Sequence, residues 1–590
     1  MTFDQAMLFV LLFVVFVLLI WGRWRYDLVA FVALLVAVVV GLVPTDQAFS
    51  GFGHPATIII ALVLVVSRGL SNSGVIELIA RYVVDAGRSL AAHVGIMSTL
   101  AASLSAVMNN VAALALLMPV DLQAAKKSGR SPSLSLMALS FASILGGMIT
   151  LIGTPPNIVV AEYRNDAFGT PFKMFDFAPV GIACAAVGVA YVALIGWRLL
   201  PAGRKTDDAA KELFELADYV AELRVREGSD VIGKRIRDLD EEAAKSDIEI
   251  IGMIRKGRRL PGLARTAEIR EGDILVVEAS PDSIEESQGA LGLEYVAAGS
   301  EALKAEDLVL SEAVVQESSR LAGRSVMQQR LLYRYRVALI GVSRQGVRFR
   351  DKLRKLILRP GDVLLLLGGE DRLADVTGRL HLLPLADRGQ RVIQRNKAWI
   401  AVSVFAAAIL VASVGLVYLP IALGFVAAAY LLFNIVPIRE VYDSIEWPVI
   451  VLLGSMIPIG GALQSTGGTT LIADGIVSLS AGMSAVVVLT LLIVITMTLS
   501  DVMNNTATAV IAAPVAVEIA DRLGVNPDAF LMGVAVAASC AFLTPIGHKN
   551  NTLIMGPGGY RFADYWRMGL PLEVLIILVS VPMILLVWPL

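Results

Sequence analysis

Cysteine is almost missing from this chain, and with it the arrangements that cysteine builds. Cys184 and Cys540 are the only two in 590 residues. Both lie in apolar segments, which excludes a disulfide framework or a zinc site. Charge of one sign is missing too. The 50 basic and 52 acidic residues leave a formal net charge of −2, so no nucleic-acid footprint is visible. No G-x-G-x-x-G turn and no G-x-x-x-x-G-K-[ST] loop is present, so no nucleotide motif is legible. There is no T-V-G-Y-G filter, and no Ser-His-Asp or metal constellation. The chain therefore reads as a non-enzyme without cofactor or metal. Its start lacks the positive charge of a signal peptide. Asp4 precedes the apolar run Met7–Ile20, and Trp21-Gly-Arg-Trp-Arg25 follows where a small-residue cleavage site would stand. This predicts a first transmembrane helix with an aromatic and basic anchor, in a bacterial inner membrane.

Apolar sequence is abundant instead. Hydrophobic residues make up 56% of the chain, and the mean hydropathy is +0.71. Several runs approach the ~20 residues that cross a bilayer as helix. One stretch occurs twice. Ser103-Leu-Ser-Ala-Val-Met-Asn-Asn-Val111 runs on to Pro119, and Thr498-Leu-Ser-Asp-Val-Met-Asn-Asn-Thr506 runs on to Pro514. Ser105 matches Ser500, and Asn109-Asn110 matches Asn504-Asn505. The apolar arms on either side of Asn109-Asn110 are short for two complete spans, so a re-entrant hairpin with its tip at the Asn pair is predicted. A second element is also repeated: Thr150-Leu-Ile-Gly-Thr-Pro-Pro-Asn157 returns as Thr544-Pro-Ile-Gly-His-Lys-Asn-Asn551. Residues of about 50–157 and 443–551 are thus one unit duplicated.

Between the halves the composition changes. Residues 204–395 are dense in charge and contain no span. This insert is itself a repeat with a period of about 90 residues. Ser229-Asp-Val-Ile-Gly-Lys234 matches Ser319-Arg-Leu-Ala-Gly-Arg324, and Arg270-Glu-Gly-Asp273 matches Arg359-Pro-Gly-Asp362. The predicted domains are 1–200, 204–298, 299–395 and 396–590. Lys126, Lys127 and Arg130 follow the first hairpin, while Asp521-Arg522 after the second brings no positive excess. The positive-inside rule then opens the two hairpins to opposite sides and places the insert in the cytoplasm. That is the asymmetry of an inverted repeat.

Duplicated membrane halves with polar, broken segments at matching positions point to a transport site. Irregular backbone at membrane depth is tolerated where it is buried in protein or lines a cavity. Exposed carbonyls of broken helices suit Na⁺, and helix N-termini suit an anion. Ser105, Asn109, Gly153, Ser500, Asn504 and Gly547 are the expected Na⁺ ligands. Asn110, Asn505, Thr506, Thr154, Pro155, His548 and Lys549 are the expected substrate contacts. Asp501 replaces the neutral Ala106 of the first half, and Lys549 replaces Pro155. These two charges are read as a coupling pair, in which Lys549 stands in for a second Na⁺. His54 and His93, near segment ends, are read as interface residues.

The residues resemble the divalent anion:sodium symporter family of the ion transporter superfamily. The family's Ser-Asn-Thr tips appear here as Asn109-Asn110-Val111 and Asn504-Asn505-Thr506. Gly153-Thr-Pro-Pro-Asn157 matches the family's break, and Ser105 and Ser500 sit four residues before each tip. The insert resembles two tandem TrkA-C domains, the regulatory half of potassium-channel regulators. The resemblance implies a multi-span α-helical inverted repeat with re-entrant hairpins and broken helices, an elevator fold, plus an α/β insert. It implies Na⁺-coupled symport of a small divalent anion, sulfate or a dicarboxylate. It also implies a homodimer, with a small molecule or nucleotide regulating the TrkA-C domains. A proton-coupled or uncoupled anion or amino acid transporter and a TrkA-C-gated channel are the alternatives.

Overall fold

Proline, serine and asparagine decide where the helices of this protein begin. The computed structural model describes residues 1–21, 24–73, 89–200, 220–239, 249–255, 258–259, 267–278, 293–298, 309–325, 331–335, 337–344, 347–349, 356–385, 395–479 and 482–590. Ile76–Val84, where Glu77 and Arg81 within an apolar run predict a short amphipathic helix at the membrane interface, lies outside the described residues, as does the predicted break at Gly74. The chain divides into two compact units, Met1–Gly203 with Gly389–Leu590, and Arg204–Arg388.

The described residues of the first unit form helices joined by turns and short loops. Among the described residues, three helices are long and apolar enough to cross a membrane: Ser50–Asn72, Trp447–Ser465 and Phe562–Val587. Shorter apolar helices pack between them, among them Phe3–Leu19, Ala178–Leu194 and Leu419–Leu432. Two helical hairpins sit at matching places. Leu90–Ser105 leads to the first Asn pair and Asn110–Lys127 leads away; Ala485–Ser500 and Asn505–Leu523 do the same at the second. Each outbound helix is started by its own asparagine. Asn109 Oδ1 accepts from Val111 N at 2.8 Å, and Asn504 Oδ1 accepts from Thr506 N at 2.9 Å. Such a cap satisfies one of the free N–H groups at a helix start.

Each half also has an interrupted helix. Leu136–Gly147 stops and Pro155–Phe168 resumes; Pro527–Ser539 stops and Lys549–Met555 resumes. Proline suits the first helical position because its fixed φ and missing N–H cost nothing there. In the second half His548 starts the helix instead, its Nδ1 accepting from Asn550 N at 3.1 Å. His93, near the start of Leu90–Ser105, is 6% exposed, with Nε2 2.7 Å from Asp121 Oδ1. Asp121 also accepts from Ser135 Oγ, and such pairing is what a buried carboxylate requires.

The second unit contains two five-stranded antiparallel sheets. One comprises β1 (Val220–Val225), β2 (Glu249–Arg255), β3 (Arg258–Arg259), β4 (Ile274–Glu278) and β5 (Leu293–Ala298) in the order β3-β2-β4-β1-β5. The other comprises β6 (Val309–Val315), β7 (Ala338–Arg344), β8 (Val347–Phe349), β9 (Val363–Gly368) and β10 (Leu382–Pro384) in the order β10-β6-β9-β7-β8. Read from the opposite edge, the two orders are the same. The register also shifts at matching points, between Ile250 and Gly252 in β2 and between Leu339 and Gly341 in β7. Each sheet is locked by one forked ion pair, Arg255 with Asp273 and Arg344 with Asp362. Leu223, Met253 and Leu275 fill the first core; Val315, Leu339 and Leu366 fill the second.

Candidate functional site

Several hydrogen bonds of the Asn pairs and the helix interruptions are made twice, once in each half. Ser105 Oγ donates to Asn110 Oδ1 at 2.7 Å, and Ser500 Oγ donates to Asn505 Oδ1 at 3.0 Å. Thr150 Oγ1 donates to the carbonyl of Ala106, and Thr544 Oγ1 donates to the carbonyl of Asp501. Asn157 Nδ2 donates to Thr150 O at 2.9 Å, and Asn551 Nδ2 donates to Thr544 O at 3.1 Å. In each half, therefore, the interruption is braced by its own asparagine and hung by a threonine from the hairpin tip. These are satisfied buried amides, as an apolar interior demands.

The halves then meet crosswise. Asn550 Nδ2 donates to Ser143 Oγ at 2.6 Å and to the Asn110 carbonyl at 3.3 Å. Ser140 Oγ donates to Asn551 Oδ1 at 2.9 Å. His548 Nε2 lies 3.4 Å from Asn110 Nδ2. The first tip is thus bonded directly to the second interruption. In the reciprocal arrangement, the outbound helix of the second tip packs along Pro155–Phe168. Asn110, Asn505, Thr506 and Thr154 are all buried, while Pro155, Asn109 and Asn504 are half-buried.

Glycine makes the first contact possible. A Cβ at Gly147 would lie 2.3 Å from Asn110 Oδ1, and a Cβ at Gly153 would lie 2.4 Å from the Gly147 carbonyl. Sequence reasoning named Gly153 but not Gly147, although the two belong to one glycine-rich run. It also passed over Asn550 and Ser143 as individual contacts. Their only sequence signal is a polar side chain within an apolar segment.

One expectation is corrected. Asp501 and Lys549 do not form a pair. Lys549 Nζ makes its ion pair with Glu446, at the start of Trp447–Ser465, and lies 5.9 Å from the Tyr26 ring centroid. Asp501 Oδ1 instead accepts from Leu543 N at 2.9 Å, and its carboxyl neighbour is Glu573. The two residues are thus held by different partners. Glu573 was missed by sequence reasoning, although an acid within a final apolar span was a signal available to it.

In chemical terms, the crosswise site collects side-chain hydroxyls and amides and the starts of three helices, of 18, 19 and 14 residues. Helix starts present free N–H groups to an anion, and the amide and hydroxyl oxygens are hard ligands that suit a small cation. Among the described residues no cluster of His, Cys, Asp and Glu could hold a transition metal.

The family model described as Citrate transporter (CitMHS) matches residues 16–512 and 481–590. The uncharacterized transporter sll0640 of Synechocystis is 32% identical over 95% of this chain and 94% of its own length. The uncharacterized transporter YfbS of Escherichia coli is 30% identical over 98% of both chains. Sodium/sulfate cotransporter 1 of Chlamydomonas reinhardtii is 26% identical over 55% of this chain and 39% of its own length.

Proposed function

The chain belongs to the CitMHS citrate transporter family, and from this premise we propose that it is a secondary active symporter of a small anion driven by Na⁺. The observation that carries the reading is the bond from Asn550 of the second interruption to the Asn110 carbonyl of the first tip. It joins two broken elements from opposite halves, where duplicated transporters hold their substrates. Asn110, Asn505, Thr506, Thr154 and Pro155 contact the anion. Ser105, Asn109 and Gly153 hold one Na⁺, and Ser500, Asn504 and Gly547 hold a second. Similarity to a sodium/sulfate cotransporter over half of the chain supports Na⁺ and a divalent anion, and the family description supports a carboxylate. Sulfate and dicarboxylates or citrate are the leading substrates.

The broader reading is an elevator-type homodimer in a bacterial inner membrane. Residues 204–395 lie in the cytoplasm and act as two regulatory TrkA-C domains that bind a small molecule or nucleotide. The doubled sheet order and the matched Arg–Asp locks support a tandem module there.

The test is uptake of labelled sulfate, succinate and citrate into proteoliposomes, with and without an inward Na⁺ gradient. One of the three should accumulate above equilibrium only with the gradient. N110A should lower that uptake about tenfold or more, equivalent to about 1.4 kcal/mol of lost binding or barrier. Passive flux that ignores Na⁺ would defeat the symport reading.

A further inference from the structure

Asn550 stands where the first half has Pro156. Proline brings no polar side chain to the start of a resumed helix, whereas Asn550 brings an amide and turns it toward the other half. The residue is 0% exposed. Its Nδ2 donates to Ser143 Oγ at 2.6 Å and to the Asn110 carbonyl at 3.3 Å. Those two bonds fix which way the amide faces. A carbonyl only accepts, and Ser143 Oγ spends its own proton on the Ser140 carbonyl at 2.8 Å. Both contacts therefore call for the N–H side of the amide. The other end, Oδ1, is buried, and among the described residues no group donates to it.

The acceptors around it are already served. Asn110 Oδ1 receives Ser105 Oγ, and Asn551 Oδ1 receives Ser140 Oγ. His548 Nδ1 receives Asn550 N. One acceptor is thus left over where the two halves meet, and a buried acceptor without a donor is costly. Its complement is a single donor. A small hard cation is a poor complement, because such ions gather about six oxygens and one unengaged oxygen does not make that set. A fully ionised anion such as sulfate or succinate is no better, since it offers acceptors alone. It can satisfy the amide hydrogens of Asn110 Nδ2, which lies 3.4 Å from His548 Nε2, but it leaves Asn550 Oδ1 as it was. An anion that also carries an O–H group satisfies both kinds of partner.

We propose that Asn550 is a specificity-determining residue: its Oδ1 accepts a hydrogen bond from an O–H group of the carried anion, so the site favours an anion with such a group over one of similar shape without it. The placement of the anion here rests on the function proposed above; the free acceptor does not. Two pairs of probes isolate the effect. Malate is succinate with one hydroxyl added. Hydrogen phosphate is a tetrahedral dianion like sulfate, but keeps one O–H. A site with a buried polar group placed for a substrate O–H rejects the analogue lacking it, because that group is then left without a partner.

The test measures binding of the four anions to the full-length protein in nanodiscs by calorimetry, at a mildly alkaline pH. In whichever pair binds, the member with the O–H should bind about tenfold tighter or more. N550L, which keeps the size of the side chain and removes its acceptor, should bring that ratio close to one. S143A withdraws a partner of Nδ2 and leaves Oδ1 in place, so it should weaken both members of a pair alike and keep the ratio. A purely structural role for Asn550 would lower every affinity in N550L while the ratio stayed at its wild-type value, and that result overturns the proposal. Equal binding of both members by wild type overturns it without recourse to any variant, as does failure of all four to bind. Uptake of the same labelled anions into proteoliposomes under a Na⁺ gradient separates this proposal from the symport reading. Selective binding without uptake leaves the role of Asn550 standing and defeats symport. Na⁺-driven uptake that treats malate and succinate alike does the reverse.

Discussion

Adding one methyl group at residue 147 should separate the tip's role in transport from its role in folding. A Cβ there would lie 2.3 Å from Asn110 Oδ1, 2.9 Å from Nδ2 and 3.0 Å from Cγ. Real contacts of this kind do not persist below about 3 Å, so the amide must move. It has little room, because Asn110 is 4% exposed and its Oδ1 is held by Ser105 Oγ. Overpacking of a tight interior costs about 1–3 kcal/mol. Loss of the Ser105 bond adds about 1 kcal/mol. G147A should therefore unfold several degrees below wild type. If Asn110 contacts the substrate, uptake should fall about tenfold or more in protein that is still folded. The control is Gly461, which has no neighbour within 4 Å of an added Cβ. G461A should match wild type or gain about 0.5–1 kcal/mol from helix propensity. Proteoliposome uptake and a thermal melt on the same preparations give both readouts. G147A transporting at wild-type rate and affinity would refute the placement of Asn110 at the site.

Other outcomes follow from single contacts. K549M and E446Q each break the same ion pair, so the double variant should be no worse than the poorer single one, with a coupling of about 1 kcal/mol in a thermal-melt cycle. In the insert, burial pushes the Asp273 carboxyl up. The Arg255 guanidinium and the Arg270 backbone N–H outweigh it and hold the group below the usual carboxylate range. A carboxyl depressed in the folded state stabilises above its unfolded value and loses that contribution as pH falls through the folded one. Protection of the β4 amides against hydrogen exchange should therefore fall as the pH drops below about 4, and D273N should be less protected at neutral pH while losing this acid dependence. Finally, A106D should destabilise the first half because it buries a carboxyl without a partner, by about 2 kcal/mol or more. A106D/A185E should recover part of that loss in the same melt.

Local signals carried the duplicated elements into view. The Asn pairs sit inside apolar runs, and the Gly-Thr-Pro-Pro-Asn break carries its own helix-start chemistry. Both features act within a few residues, so a linear reading finds them. The Asp501–Lys549 pairing failed for the opposite reason. Two charges occurring in one half says nothing about which face each occupies, and Lys549 turns to Glu446, more than a hundred positions earlier in the chain. Glu573 lies within the apolar helix Phe562–Val587, and a single acid there gives no spacing from which its partner can be read. The crosswise contact from Asn550 to Ser143 joins residues whose distance in sequence leaves no periodic trace.

The internal duplication is informative where it breaks. Threonines 150 and 544, asparagines 157 and 551, and the serine-to-asparagine bonds at the tips are the same in both halves because they hold backbone in place. Any departure there would leave a buried amide or carbonyl without a partner. Departures lie at other positions of the same elements, and some of them bond to backbone themselves: His548 accepts from Asn550 N, and Asp501 from Leu543 N. Pro155 and Pro156 become Lys549 and Asn550, Ala106 becomes Asp501, and Ala185 gives way to Glu573. The last two changes depend on each other. A lone buried carboxylate costs far more than a buried methyl group gains, and the Leu543 and Phe542 N–H groups that donate to Asp501 and Glu573 offset part of that cost. The symmetry of the bonds therefore describes what the fold requires, and the buried acids are where the two halves differ in charge.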